Sequence, residues 1–403
     1  MADTVLALNA GSSSIKFALF EIGPNDEANP ISRGQVEGIG NAPHFLARDP
    51  SGAILSEQRW PHDTAPSHKA LIGILLDWVD HHLGADRLVA VGHRVVHGGS
   101  DHRVPERVTD RLLDALDRLT PLAPLHQPHS LSPIRAIAEA RPGLVQVACF
   151  DTAYHRTMPP VATRLALPRR YEHQGLRRYG FHGLSYEYIA GRLATDAPAL
   201  AAGRVIVAHL GNGASLCAMR HGRSLDTTMG FTALDGLVMG TRCGSIDPGV
   251  LLYLQQSGGL SLGDLEDLLY RRSGLLGVSG IDSDMRTLLG SRTEAAREAV
   301  ELFVYRFIQQ AGAMLATLGG LDGLVFTAGI GEHAPEIRTA VCAKLAWLGI
   351  ALDEELNRAG KGRISMPQSR VEIWVIPTDE EAMIARHTIA TLQAKSHGRM
   401  PEA

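Results

Sequence analysis

Asn9, Ser12, Ser14 and Lys16 gather an amide, two hydroxyls and an ammonium in one short segment. In extended chain, residues 12, 14 and 16 share a face, which suits a run of phosphate oxygens. The segment is not a Walker A loop, because Gly-x-x-x-x-Gly-Lys-Ser/Thr is absent. Read alone, it is equally a polar hairpin tip. Arg94, in Gly92-His93-Arg94-Val95-Val96-His97-Gly98-Gly99, sits just beyond an apolar run. Its guanidinium suits two-pronged grip on a carboxylate or phosphate. His93 and His97 have a spacing that binds zinc on a helix, but the glycines speak against a helix and no third ligand is evident. Asp151 follows the apolar stretch 145–150, a place for a catalytic or metal-linked carboxylate, or for an ordinary helix cap. His182 lies next to glycine and phenylalanine in Tyr179-Gly180-Phe181-His182-Gly183, a setting open to close approach by a ligand. Residues 226–248, rich in Gly and Thr around Arg242, are poor packing material and read as a ligand-facing loop. The apolar run ending at Thr327 leads into Gly329-Ile330-Gly331. That pattern can seat a phosphate at a helix start, although it is only part of a dinucleotide fingerprint. Glu380 and Glu381 place carboxylates beyond another apolar run.

The elements that must hold these groups follow from hydrophobic patterning. Short apolar runs at 5–8, 15–20, 88–91, 144–150, 204–208, 216–219, 323–327 and 371–376 predict strands. Apolar residues at a 3.6 period predict helices over 68–83, 108–119 and 294–318. Strands alternating with helices imply an α/β architecture. One internal echo stands out. Val5-Leu6-Ala7-Leu8-Asn9-Ala10-Gly11 returns as Val205-Ile206-Val207-Ala208-His209-Leu210-Gly211. In both copies an apolar run meets a small-residue turn and a second apolar run. Any two hairpins share that outline; the alternative is a duplicated domain presenting two phosphate-binding turns.

Composition narrows the class. The chain has 403 residues, a formal net charge of −4 and 45% hydrophobic residues. A mildly acidic chain lacks the electrostatics of a general nucleic-acid binder, and no segment reaches the apolar length of a membrane span. The four cysteines are scattered, which excludes a Cys-x-x-Cys zinc ribbon and suits a reducing compartment. With no basic, apolar leader after Met1, the expected location is the cytoplasm.

Taken together the segments resemble the acetate kinase family. The resemblance rests on Asn9-Ala-Gly-Ser-Ser-Ser-Ile-Lys16, His93-Arg-Val-Val-His-Gly-Gly99, Phe150-Asp-Thr-Ala-Tyr-His155, Tyr179–Gly183, His209-Leu-Gly-Asn-Gly-Ala-Ser215, Met239-Gly-Thr-Arg-Cys-Gly244, Ser279–Arg286, Thr327–Glu332 and Thr378–Glu381, in family order. It implies the duplicated ribonuclease-H-like fold of acetate and sugar kinases, heat-shock ATPases and actin, with ATP in a cleft between two domains. The expected domains are 1–152 with about 381–403, and 153–380. The activity implied is reversible transfer of the ATP γ-phosphoryl group to acetate, with a homodimer formed through the second domain.

The family pattern further implies site roles. Ser12, Ser14, Lys16, His209, Leu210, Gly211, Asn212, Gly213, Asp284, Met285, Arg286, Gly329, Ile330, Gly331, Glu332 and His333 would face the nucleotide. Asn9 and Glu380 would serve Mg²⁺, for which Mn²⁺ can substitute. Arg94, Val96, Leu125, Phe181 and Ala233 would hold the carboxylate substrate and its methyl group. Arg94, Asp151, His182 and Arg242 would be catalytic. The chain departs from the usual pattern at His333, Ser245, Leu184, Tyr186 and Ala233. Ala233 stands where a proline often borders the methyl pocket, so propionate is the alternative acceptor. A nucleotide-driven switch or filament on the same scaffold is a rival of another class; Arg94, His182 and Arg242 speak against it. Acetate is already ionised near neutral pH, so Asp151 is expected to orient Arg94 or a metal-bound water rather than to abstract a proton.

Overall fold

The computed structural model describes residues 1–11 and 13–396. The chain divides into two compact units, one of residues 1–153 with 379 onward and one of residues 154–378. Residues 153, 379 and 380, expected with the second domain, fall in the first; Asp379 caps the last helix, its Oδ1 accepting from Ala382 N–H at 2.9 Å.

The first unit is built on an eight-stranded sheet. Its strands are β1 (Asp3–Ala10), β2 (Ser14–Ile22), β3 (Ala28–Glu37), β4 (His44–Arg48), β5 (Ile54–Arg59), β6 (Arg87–Val95), β7 (Glu106–Arg107) and β8 (Val145–Phe150). Their order is β5-β4-β3-β2-β1-β6-β8-β7. β1, β2 and β3 form an antiparallel meander, whereas β6 lies parallel to β1 and β8 parallel to β6. The central strands are apolar on both faces because both faces are covered. Leu6 and Leu8 pack with Phe17 under the helix His68–Leu83, through Leu71, Leu75 and Val79. Ser67 caps that helix by accepting from Ala70 N–H at 3.2 Å, and Gly84 ends it at φ 57°. The helix Glu380–Ser396 covers the opposite face. Gly92 on β6 permits this contact, since a Cβ there would collide with Thr388 Oγ1 and Ile384.

The second unit repeats the plan. Its strands are β9 (Arg204–Leu210), β10 (Ala214–Arg220), β11 (Arg223–Thr227), β12 (Gly323–Thr327), β13 (Gly362–Arg363) and β14 (Glu372–Val375), in the order β11-β10-β9-β12-β14-β13. Here too a three-stranded meander begins the sheet, with β12 parallel to β9 and β14 parallel to β12. The echoed sequences are therefore the opening hairpins of two sheets of the same topology. They differ by one residue in the turn: Ala10 pairs with Ile15, but Leu210 with Ala214. Helices flank both faces. Ile189 and Leu193 of the helix Gly183–Asp196 pack on Val205 and Val207. From the other side, Phe307 of the 25-residue helix Glu294–Leu318 stacks on Phe326 of β12 at 6.2 Å.

The strands expected from sequence all form, with edges moved by a few residues. The helix expected over 108–119 is Asp110–Asp117, because Thr109 caps it by accepting from Leu112 N–H. No helix among the described residues is long and apolar enough to cross a membrane.

Candidate active site

In the first unit, parallel strands end side by side and deliver one polar group each. Arg94 is on β6, and Asp151 immediately follows β8. Asp151 is completely buried, and its Oδ2 accepts from Arg94 Nε at 2.9 Å and Nη2 at 2.5 Å. Arg94 Nη1 donates to Asn9 Oδ1 at 3.1 Å, from the end of β1. The Asn9 amide in turn donates to Glu380 Oε2 at 2.7 Å and Glu381 Oε1 at 3.2 Å. Glu380 Oε2 lies 4.0 Å from Arg94 Nε. Burial opposes the Arg94 charge, but Asp151, Glu380 and Glu381 outweigh it and hold the guanidinium above its ordinary range. Burial and the neighbouring Glu380 charge push the Glu381 carboxyl up.

The remaining candidates of this unit surround that cluster unequally. Lys16 is exposed and directly opposite Asn9 in the β1–β2 register, where side chains share a face. Ser14 is half-buried at the start of β2, and Ser12 lies outside the described residues. Val96, two residues past Arg94, is buried; Leu125 is half-buried in the segment leading to the helix Gln127–Ala140. His93 and His97 do structural work instead. His93 Nε2 is 2.8 Å from Gln146 Oε1, and His97 Nδ1 accepts from Gly99 N–H at 2.9 Å. Burial depresses both rings to about 4.

In the second unit the separated motifs converge at the ends of β9, β10 and β12. Thr327 pairs with His209, which brings the turn after β12 beside the His209–Gly213 turn. His182 occupies left-handed backbone at φ 57°, just before the helix Gly183–Asp196. This is an uncommon state for a residue with a side chain, and such outliers cluster at functional sites. The His182 ring stacks on the His209 ring with centroids 4.1 Å apart and planes 18° apart. A Cβ on Gly213 would lie 2.9 Å from Arg242 Nη2 and 3.3 Å from His182 Nε2. Glycine therefore lets the turn backbone approach both groups. Arg242 Nη1 donates to Ala233 O at 2.6 Å. Gly240 N–H donates to Asn212 O at 3.1 Å, and a Cβ on Gly240 would also sit 3.3 Å from Ser283 O. The loop around Arg242, the β9–β10 turn and the segment before Asp284 are thus in mutual contact. Phe181 is buried, its carbonyl 2.9 Å from His155 Nε2.

Not every nucleotide candidate turns outward. Leu210 and Met285 are buried, so any outward contact of theirs falls to the backbone. Asp284 caps the short helix Met285–Gly290 and pairs with the exposed Arg286 at 2.6 Å. Gly329 and His333 are exposed, Ile330 is half-buried and Gly331 is buried. Glu332 is a clamp: its Oε1 accepts from Ala328 N–H at 2.7 Å and Thr378 N–H at 3.1 Å, holding Ala328 at φ 65°. Ser245, a departure from the family pattern, donates to Asp235 Oδ1 at 2.6 Å and accepts from Gly236 N–H at 3.1 Å.

Sequence reasoning gave no role to Ser215, Ser185 and Tyr186. Ser215 Oγ is 2.8 Å from His182 Nδ1 and 2.5 Å from the Tyr186 hydroxyl. Ser185 Oγ is 2.8 Å from His209 Nδ1, and Thr378 Oγ1 lies 2.9 Å from Ser185 Oγ. Ser215 faces His209 across the β9–β10 register, a pairing that the sequence alone does not give.

A sequence profile described as the acetokinase family matches residues 4–386. The chain belongs to the acetokinase family. It is 55% identical over 391 residues to an acetate kinase of Rhodopseudomonas palustris (strain TIE-1), covering 96% of this chain and 98% of that one. The crystal structure of Porphyromonas gingivalis acetate kinase superposes with a TM-score of 0.85 at 37% identity, covering 97% and 100% of the two chains. A propionate kinase from Francisella tularensis subsp. tularensis SCHU S4 superposes with a TM-score of 0.87, also at 37% identity, covering 96% and 98%. The expected duplicated two-domain α/β fold of this family is the fold observed.

Proposed function

We propose that this protein transfers the γ-phosphoryl group of ATP to acetate, reversibly, giving acetyl phosphate and ADP. The observation that carries the reading is Arg94, partly exposed at a strand end and fixed along one edge by the buried Asp151. A guanidinium held in this way is a ready receptor for a small carboxylate. In the reaction a carboxylate oxygen attacks the γ-phosphorus, and the bond to the β–γ bridging oxygen breaks as ADP leaves. Such a transfer needs positioning and charge stabilisation rather than covalent help. Arg94 orients the acetate carboxylate. His182 and Arg242, both beside the Gly213 turn, meet the charge on the transferring oxygens. The β9–β10 turn and the turn after β12 offer backbone to the nucleotide, and Lys16 offers an ammonium. Val96, Leu125, Phe181 and Ala233 are the apolar residues that the family resemblance assigns to the methyl group. Asp151 orients Arg94, since both its bonds from Arg94 end on one oxygen and ionised acetate needs no base.

The donor set also suits Mg²⁺ or Mn²⁺. Asn9 and Glu380 supply hard oxygens, and Glu380 and Glu381 raise a negative charge that a cation relieves. Among the described residues no group of three or more His, Cys, Asp or Glu could hold a metal by itself. The ion would therefore share its coordination with nucleotide phosphates, where it neutralises charge. A homodimer and a cytoplasmic location complete the proposal; light scattering at micromolar concentration checks the first, and cell fractionation the second. Similarity to a propionate kinase, together with Ala233 at the methyl wall, favours propionate as a second acceptor. The test is acetohydroxamate formation by purified protein with MgATP, acetate and hydroxylamine. Signal that requires both acetate and ATP supports the assignment, and its absence refutes it.

A further inference from the structure

The turn after His182 carries a tyrosine whose hydroxyl the mechanism leaves unused. Tyr186 and Ser215 are completely buried. The Tyr186 hydroxyl lies 2.5 Å from Ser215 Oγ, which lies 2.8 Å from His182 Nδ1. Among the described residues, Ser215 Oγ is the sole side-chain partner of the Tyr186 hydroxyl, and Ser215 Oγ itself has only Tyr186 and His182. Proton counting then gives the chain a direction. The Tyr186 proton has one acceptor within reach, Ser215 Oγ. With that oxygen accepting, the proton of Ser215 has one acceptor left, His182 Nδ1. The opposite polarity, with the ring donating from Nδ1, would strand one buried hydroxyl proton without an acceptor, a state that folded proteins avoid. A ring nitrogen that accepts carries no proton, so the neutral imidazole keeps its proton on Nε2.

We propose that Tyr186 and Ser215 are positioning residues that fix His182 in the tautomer bearing its proton on Nε2. Nε2 is the ring atom nearest the Gly213 turn and its neighbour Arg242. The hydroxyl pair thus aims an N–H donor at the site where charge develops on the phosphoryl group. The stacked His209 ring sets the plane of His182, and its own Nδ1 is tied to Ser185 rather than to this chain. Burial keeps the Tyr186 phenol protonated, raising it well above its ordinary value. The tautomer stands on this geometry alone; only its catalytic consequence rests on the proposed phosphoryl transfer.

The experiment is a two-bond ¹H–¹⁵N correlation of histidine-labelled protein without substrates, at pH 8, where an ordinary imidazole is neutral. The signals of His182 are those lost in His182→Gln. The expected wild-type spectrum shows Nε2 protonated and Nδ1 bare; a proton on Nδ1 would overturn the proposal. Tyr186→Phe removes only the hydroxyl that forces the direction, so both tautomers appear. Its kcat for acetyl phosphate formation falls roughly twofold, because about half of the molecules then hold the idle tautomer, with KM for ATP unchanged. A variant that keeps the wild-type tautomer refutes the role of Tyr186. Mixed tautomers with unchanged kcat would leave the tautomer assignment standing and refute the catalytic reading of His182 instead.

Discussion

Replacing Asp151 by asparagine separates orientation from acid–base chemistry at the Arg94 site. Asparagine keeps the shape and one acceptor but removes the charge facing Arg94 Nε and Nη2. Breaking a buried ion pair from one side costs about 3–5 kcal/mol. Asp151 is fully buried, but Arg94 retains 20% exposure and Glu380 stays 4.0 Å away, so the lower end, about 3 kcal/mol, is the better figure. For a unit of this size that is a loss of roughly 6–12 °C in Tm by calorimetry. The activity effect follows from a loosened guanidinium. Losing one charge-assisted hydrogen bond to the carboxylate, about 1.5–3 kcal/mol, lowers kcat/KM for acetate roughly 10- to 100-fold. The effect appears largely as a raised KM for acetate. The pH profile of kcat keeps its shape, because no proton acceptor has been removed. The opposite result, an unchanged KM for acetate with a collapsed kcat and a lost limb of the pH profile, would refute the orienting role.

Other substitutions and conditions give sharp expectations. His182→Ala should lower kcat by about 10²–10³, the usual loss for one preorganised donor, with KM for ATP little changed in steady-state kinetics. Arg94→Ala should raise KM for acetate as well as lower kcat, whereas Arg242→Ala should lower kcat with a smaller effect on that KM. EDTA should abolish turnover, and Mg²⁺ or Mn²⁺ should restore it; full activity without a divalent ion would contradict the metal reading. One methylene changes selectivity by only about 1–3 kcal/mol in an apolar pocket. A panel of carboxylates should therefore rank acetate over propionate, with butyrate poor; equal kcat/KM for butyrate and acetate would remove the proposed methyl walls.

The central strands were legible in the sequence because burial on both faces makes them short, unbroken apolar runs, as in β1 and β12. The helix Glu294–Leu318 was legible end to end, since Thr293 caps it and Gly319 stops it in left-handed backbone. β3, β4 and β5 were not, because they lie toward the exposed edge of their sheet. β5 buries none of its residues fully, so it offers no hydrophobic pattern to read. Among the polar groups, Arg94 and Asp151 could be singled out by their places after apolar runs, and the chemistry left Asp151 either Arg94 or a metal-bound water to orient. Their contact depends on β6 lying parallel to β8, a fact of sheet order across distant chain. Glu332 looked like a ligand group because it follows Gly-Ile-Gly, yet its carboxylate is spent on two backbone N–H groups. Ser215 and Tyr186 were hidden for the reverse reason. Each resembles core or turn material until the β9–β10 register and the helix after His182 bring both to one imidazole nitrogen.

The central claim, that a carboxylate oxygen of acetate attacks phosphorus and takes up the γ-phosphoryl group, is open to one isotope measurement. The purified protein is turned over with MgATP and acetate carrying ¹⁸O in both carboxylate oxygens, and the products are followed by ³¹P NMR. Attack by acetate predicts ADP and an acetyl phosphate resonance displaced by ¹⁸O, because the oxygen bridging carbon and phosphorus comes from acetate. Acetyl phosphate without the displacement, or ADP with inorganic phosphate alone, would contradict the account.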